Sequence, residues 1–253
     1  MQSISKEWFI SNHPHLHQSD KFFSTNIEFS FFDQNLDCGI FIEGFIIPRL
    51  TEQHNIHNHT QEEIIFKLYK RYNLDFINYV KGSFIVIIYF NNTIHIFNDR
   101  HAIKKYFIYR EGKNFIISNN LCLISCSVQL SFHPENAAIF CLMEHFLCGL
   151  TLFNNVKYSS GGTCLCCSKD IKIETYWEPE KLIQIDYKNN YTFEYFSVFW
   201  QKIIAGYTEA LNAKHVSLTL TGGNDSRMIL VGLSNLYIYL HAFTFGSSQS
   251  VDV

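Results

Sequence analysis

The chain lacks an excess of basic residues. Its 20 lysines and arginines are set against 23 aspartates and glutamates, which gives a formal net charge of −3. No long run of Lys or Arg concentrates positive charge in one stretch. Because polyanions are bound by such basic surfaces, we expect neither a nucleic acid nor an anionic membrane as a partner.

The first residues lack the pattern of a leader segment, and the chain lacks a long apolar run. Its first 20 residues contain no basic stretch followed by an apolar one, and no later stretch reaches the roughly 18 apolar residues of a membrane helix. These absences predict a cytoplasmic protein.

The eight cysteines are then expected to be reduced core thiols. Cys164 and Cys167 have CxxC spacing, but no second pair follows at zinc-ribbon distance, which disfavours a metal.

Short runs of aromatic and β-branched residues dominate the first part of the chain. Strands are predicted at 22–32, 39–47, 82–90, 93–98, 105–110, 114–118, 163–167 and 171–176. A helix is predicted over 61–72, where Thr60 and Glu63 form a capping box, and another over 134–148. This pattern predicts an α+β layered domain with antiparallel sheets over 1–178.

Three histidines, His54, His57 and His59, precede the first helix. Their spacing would suit a metal, but their Asn-rich flanks favour an exposed loop.

Residues 179–253 follow a different order. A linker around 177–190 leads to an apolar helical pattern from Phe196 to Leu211, a strand at 216–220, a two-glycine loop, a helix and a strand at 236–243. This order is the opening of a parallel α/β sheet. Two parallel strands cannot bury their edges, so we expect this domain to need further chain or a partner.

The two-glycine loop, Thr221-Gly222-Gly223-Asn224-Asp225-Ser226, predicts a phosphate site. A strand that turns directly into a helix leaves N–H groups converging on one spot, with the positive helix end behind them. The glycines are expected to let the backbone close around an anion and reach positive φ. The alternative is an ordinary turn in which Asp225 or Ser226 is the N-cap.

Several segments together resemble the glutamine-dependent asparagine synthetase family. The similar segments are 69–75 with Gly82-Ser83-Phe84, IFNDRHAIKKYFIY at 96–109, 152–176 around a glycine turn that leads into Tyr176-Trp177, the TGGNDS loop at 221–226, and HAFTFG at 241–246 with Asp252. They occur in the family's order along most of the chain. In that family a class II glutamine amidotransferase domain with an N-terminal nucleophile hydrolase fold precedes an ATP-pyrophosphatase (PP-loop) domain.

The resemblance implies a nucleotide site. Gly222, Gly223, Asp225 and Ser226 would surround the pyrophosphate of ATP, Mg²⁺ would lie near Asp225, and Leu220, Thr221, Phe245 and Gly246 would complete the nucleotide-binding set. The reaction would activate a substrate carboxylate, on a small molecule or a peptide, as an acyl-adenylate for amide formation. The resemblance also allows a homodimer.

The amidotransferase half departs from the family. Its nucleophile is a cysteine whose own α-amino group acts as base, whereas Gln2 and Ser3 follow Met1 here. Glu43-Gly44-Phe45 stands where the family has Asn-Gly-Glu, and Pro48 where it has Asn. Gly44 and Asp99 match the glutamine site. We therefore expect no catalytic residue for glutamine hydrolysis and only a vestigial glutamine site.

Three hypotheses follow from the sequence. The first is an asparagine-synthase-related ATP-dependent ligase without working glutamine hydrolysis. The second is a non-catalytic descendant whose amidotransferase-like domain is a scaffold or binding module. The third is another PP-loop ATP-pyrophosphatase, such as a tRNA-modifying enzyme, which the net charge of −3 disfavours.

Overall fold

The structure, a computed structural model, describes residues 7–13, 24–48, 59–183 and 192–246. The chain separates into two units, Met1–Ile183 and Gln184–Val253. The predictions that concern Met1, Gln2, Ser3, residues 22–23, His54, His57, residues 186–190 and Asp252 lie outside the described residues.

Two antiparallel sheets form the first unit. Its strands are β1 Phe9–Ser11, β2 Ser24–Thr25, β3 Phe31–Asp33, β4 Cys38–Pro48, β5 Val80–Phe90, β6 Thr93–Asn98, β7 Phe107–Glu111, β8 Asn114–Ser118, β9 Val156–Tyr158, β10 Thr163–Cys167 and β11 Ile171–Thr175. Its helices are α1 Gln61–Tyr72, α2 Leu121–Ser127, α3 Pro134–Met143 and α4 Glu180–Ile183, with a 3-10 helix at Asn73–Tyr79. One sheet has the order β2-β1-β8-β7-β9 and the other β11-β10-β6-β5-β4-β3.

Apolar side chains fill three layers between these elements. In β5, Ile85 and Ile87 belong to the core that both sheets share, whereas Val86 and Ile88 face the cluster formed with α1 and the 3-10 helix. This alternation is the period of two that a strand imposes on its side chains. A third cluster joins the five-stranded sheet to Ile124 of α2. The resulting order of helix, sheet, sheet and helix confirms the predicted layered α+β unit and is compatible with an N-terminal nucleophile hydrolase fold.

Helix α1 has the predicted bounds and the predicted start. The Thr60 hydroxyl accepts from the Glu63 amide at 3.2 Å, and the Glu63 carboxylate accepts from the Thr60 amide at 2.9 Å. This capping box satisfies two amides that have no partner inside the helix. His59 contacts Glu63 at 3.1 Å through its Nδ1 atom, on the same exposed surface.

The structure corrects two predicted elements of the first unit. The predicted strand 22–32 is two strands, because β2 pairs with β1 in one sheet whereas β3 pairs with β4 in the other. The predicted helix 134–148 ends at Met143, where Glu144 turns to a left-handed φ of +58°. The segment after it bonds to β9 instead, since the Tyr158 amide donates to the Gly149 carbonyl at 2.9 Å.

The second unit has the predicted order of elements. It contains α5 Phe193–Ala210, β12 His215–Thr219, α6 Asn224–Ser234 and β13 Tyr239–Phe243, and β12 and β13 are parallel. The last strand is shorter than predicted, since residues 236–238 form a turn before it. Helices α5 and α6 pack closely at Gly232, where an added Cβ would lie 2.8 Å from Ile204 Cγ1.

Candidate functional site

The 221–226 loop connects β12 to the N-terminus of α6 in the second unit. Leu220 follows the strand, with its amide donating to the Phe243 carbonyl at 2.8 Å, so the loop leaves from the edge where both parallel strands finish. Side-chain hydroxyls brace it internally. The Thr221 amide donates to Ser226 Oγ at 3.2 Å, and the Gly223 amide donates to Thr221 Oγ1 at 3.3 Å.

The helix that follows begins without a side-chain cap. Its N-cap residue is Gly223, which has no side chain that could accept from the first turn of the helix. The alternative in which Asp225 or Ser226 is the N-cap is therefore wrong, because both residues already lie inside the helix. The Ser226 hydroxyl instead contacts the Thr221 and Gly223 carbonyls, each at 3.3 Å. The amides of the first turn of α6 thus have no acceptor within the helix.

The reason for glycine in this loop differs from the prediction. Gly223 has a φ of −74°, and neither Gly222 nor Gly223 is among the residues with positive φ. Gly223 is constrained by space, since an added Cβ would lie 3.3 Å from Thr221 Oγ1. It would crowd the hydrogen bond from the Gly223 amide to that oxygen.

The remaining predicted nucleotide residues lie in α6 and just after β13, the strand that runs parallel to β12 and ends at the same edge. Asp225 lies in the first turn of α6 and is exposed to solvent. Phe245 and Gly246 follow β13 and are exposed, with the Phe245 side chain at 72%. A carboxylate beside the positive end of a helix suits a Mg²⁺ ion that is shared with phosphate oxygens, because Mg²⁺ keeps few protein ligands in such sites. Among the described residues, no group of three or more metal-ligating side chains occurs.

In the first unit, the structure brings together the two residues of the expected vestigial glutamine site. Gly44 pairs with Phe84 across β4 and β5, and the Asp99 amide donates to the Phe84 carbonyl at 3.0 Å. Gly44 has a φ of +102°, and an added Cβ would lie 2.1 Å from the Ser83 carbonyl oxygen. Only glycine fits this approach of β4 to β5.

The Asp99 carboxylate holds the turn that follows β6. It is buried, and one oxygen accepts from the His101 and Ile103 amides at 3.0 and 3.1 Å. The other oxygen accepts from the Lys104 amide at 3.2 Å. Three backbone donors compensate the buried charge, so the observed contacts of Asp99 are those of a turn cap.

Two of the segments that carry the resemblance, 96–109 and 152–176 with Trp177, meet around this turn. The Gly162 amide donates to the Asp99 carbonyl at 3.0 Å, and the Gly162 carbonyl accepts from the Tyr176 and Trp177 amides at 2.8 and 3.1 Å. The Arg100 guanidinium lies 5.6 Å from the centre of the Trp177 ring. These segments, which lie about 60 to 80 residues apart, thus form one local structure, although they entered the sequence resemblance as separate motifs.

A second polar cluster, which the sequence analysis did not predict, lies beside Gly44 at the end of the sheet sandwich. One oxygen of the Glu43 carboxylate accepts from Trp8 Nε1 at 3.1 Å and from Asn119 Nδ2 at 3.0 Å. The other lies 3.6 Å from Lys104 Nζ. In the sequence, Trp8 is only one of many aromatic residues, and Glu43 is only a departure from the family's Asn-Gly-Glu. Their contact and that of Asn119 connect β4 to residues 35 and 76 positions away from Glu43.

Two of the three cysteines of β10, Cys164 and Cys167, are buried thiols. Burial raises the pKa of Cys164 to about 12, and burial likewise raises the pKa of Cys167. Thiols with such raised pKa values are poor metal ligands and poor nucleophiles at neutral pH.

No protein-family model matches the chain, and no curated protein matches it either. Among solved structures, the chain is similar to a glutamine phosphoribosylpyrophosphate (PRPP) amidotransferase from B. subtilis complexed with ADP and GMP, with 10% identity and a TM-score of 0.41. It is also similar to a structure described as the allosteric regulatory enzyme of purine biosynthesis, with 12% identity and a TM-score of 0.41.

These similarities cover 94% and 90% of this chain but 59% and 50% of the two neighbours. The chain therefore spans between half and three-fifths of their length. At these identities and TM-scores, the similarity assigns no reaction to this chain. Among the described residues, no helix combines the length and the apolar character needed to span a membrane.

Proposed function

We propose that the 221–226 loop binds the phosphates of ATP and that the chain is part of an ATP-dependent ligase related to asparagine synthase. The observation that carries this proposal is the uncapped N-terminus of α6 directly after a parallel strand. Backbone amides that have no acceptor within the 11-residue helix, at its positive end, favour the binding of an anion.

The residues of the loop have separable roles in this proposal. The first-turn amides of α6 and the Thr221 and Ser226 hydroxyls would hold phosphate oxygens. The Asp225 carboxylate would hold Mg²⁺ beside them, since hard oxygen ligands suit that ion. Leu220 and Phe245, at the ends of the two parallel strands, would contact the nucleoside.

When bound, ATP would supply the activating group for a substrate carboxylate on a small molecule or a peptide. The chain would contribute mainly position and charge neutralisation to that step. We expect the active assembly to be a homodimer.

The first unit does not hydrolyse glutamine in this proposal. The groups that contact Glu43 in the described part of the chain are an indole, an amide and an ammonium group, none of which is a nucleophile for an amide carbonyl at neutral pH.

Calorimetric titration of the full chain with Mg-ATP tests the nucleotide site. Asp225→Asn keeps the shape of the side chain but removes the charge that would hold Mg²⁺, so we expect about a tenfold weaker affinity, the loss of one charged contact. Ser234→Ala, at the opposite end of the same helix, is the control and should bind as the unaltered chain does.

Equal affinity in the unaltered chain and Asp225→Asn would remove Asp225 from the site. Absence of binding in all three proteins would refute the nucleotide site and favour the non-catalytic scaffold.

A further inference from the structure

A cavity of about 630 Å³ opens along one side of the sandwich in the first unit. It lies at β9 and β11, the edge strands of the two sheets, beyond which the described part of the chain provides no further strand. Its apolar lining comes from both sheets and from the segment before β9, and consists of Ile108, Leu150, Phe153, Val156, Ile171 and Ile173. Its volume lies within the roughly 300–1,000 Å³ of small-molecule sites.

The register of the strands places Lys157 on the inner face of its sheet, beside Ile108 of the cavity lining. Lys157 pairs with Ile108, and Ile108 belongs to the core shared by the two sheets. The neighbouring pair, Val156 and Tyr109, belongs to the cluster on the outer face. Because directly paired residues project to the same face, Lys157 projects to the inner face.

Lys157 is the cation of the cavity that remains free within the described chain. Arg110 also lines the cavity, but its Nη2 atom lies 3.1 Å from Asp170 Oδ1. His133 contacts Glu135 at 3.0 Å through its Nδ1 atom. The described residues provide neither a hydrogen bond nor an ion pair for the Lys157 side chain.

From this arrangement we infer that the cavity binds an aliphatic carboxylate. The alkyl chain lies against Ile108, Ile171 and Ile173, and the carboxylate pairs with the Lys157 ammonium at the rim. Burial of apolar surface supplies the affinity, while the single cation orients the ligand. The exposed state of Ile173, at 55%, fits a side chain that a ligand would cover.

A lysine that points inward on an edge strand has a second use, because it prevents pairing with a strand of another molecule. The two roles differ in their dependence on the ligand's charge. A protective lysine gives no preference for a carboxylate over an alcohol of equal length, whereas a binding lysine does.

Calorimetric titration of the full chain with octanoate and with octan-1-ol tests the inference. We expect octanoate to bind more tightly than octan-1-ol. Lys157→Gln should weaken the affinity for octanoate about tenfold, because one charged hydrogen bond is lost. It should leave the affinity for octan-1-ol unchanged. Ile173→Glu, which places a charge in the apolar lining, should weaken both ligands.

The matched control is Lys172→Gln. Lys172 lies on β11 beside Ile173 and pairs with Cys166, so it projects to the opposite face of the sheet. Octanoate should bind this variant as it binds the unaltered chain. The inference is overturned if octanoate does not bind, if octan-1-ol binds equally well, or if the two lysine variants lose the same affinity. None of these outcomes depends on the nucleotide site.

Discussion

Gly44 is a residue whose side chain is excluded by the backbone of the neighbouring strand. Its φ is +102°, and a Cβ would lie 2.1 Å from the Ser83 carbonyl oxygen. We expect Gly44→Ala to lower the free energy of unfolding by at least about 2 kcal/mol, since both backbone strain and a clash oppose it. Urea denaturation measures this change.

Gly112→Ala is the control for Gly44. Gly112 also has positive φ, at +59°, but nothing lies within 4 Å of its added Cβ. Gly112→Ala should lower the free energy of unfolding by about 1 kcal/mol, which is the cost of a left-handed conformation alone. If the two variants lose the same stability, the close approach at Ser83 has no energetic effect.

The Glu43 carboxylate ties together three segments of the first unit. Glu43→Ala would leave the Trp8 indole N–H and the Asn119 amide without their acceptor at a largely buried position. We expect a loss of about 1–3 kcal/mol in the free energy of unfolding. Glu174→Ala, at an exposed position of β11, should change it by less than about 0.5 kcal/mol. Equal losses in chemical denaturation would show that the cluster adds nothing to stability.

At the scale of elements, the contact of α5 with α6 depends on Gly232. An added Cβ would lie 2.8 Å from Ile204 Cγ1 and 3.1 Å from Trp200 Nε1, which is itself bonded to the Met228 carbonyl. Overpacking costs about 1–3 kcal/mol, whereas the better helix propensity of alanine returns at most about 1 kcal/mol. Gly232→Ala should therefore lower the thermal midpoint of the second unit.

A double-mutant cycle checks the cause of that loss. In an Ile204→Ala background the clashing Cγ1 atom is absent, so Gly232→Ala should cost much less there. The same cost in both backgrounds would mean that Ile204 is not the source of the strain.

The sequence correctly predicted those elements whose ends and apolar faces are determined by neighbouring residues. Helix α1 has its capping box and apolar face within 13 residues, and β6, β8 and β10 have the predicted bounds. The end of α3 and the division of 22–32 depend on pairing with distant strands, which local periodicity does not contain. For the same reason the 221–226 loop was found from the sequence, whereas the cluster around Glu43 was not.

At the scale of the whole molecule, the chain consists of a layered α+β unit and a second unit with one pair of parallel strands. The amides proposed to bind phosphate lie in the second unit. Gly44 and Asp99, the residues expected to form a vestigial glutamine site, lie in the first unit, as do the Glu43 cluster and the cavity proposed to bind a carboxylate. The activities proposed for the two units can therefore be tested separately by variants in each.

The most direct test of the nucleotide site is an amide-resolved NMR titration of the full chain with Mg-ATP. We expect the largest changes in chemical shift at the amides of Gly222, Gly223, Asn224, Asp225 and Ser226, and we expect them to be absent when Mg²⁺ is added alone. Changes confined to other residues, or no change at millimolar Mg-ATP, would show that the loop does not bind the nucleotide.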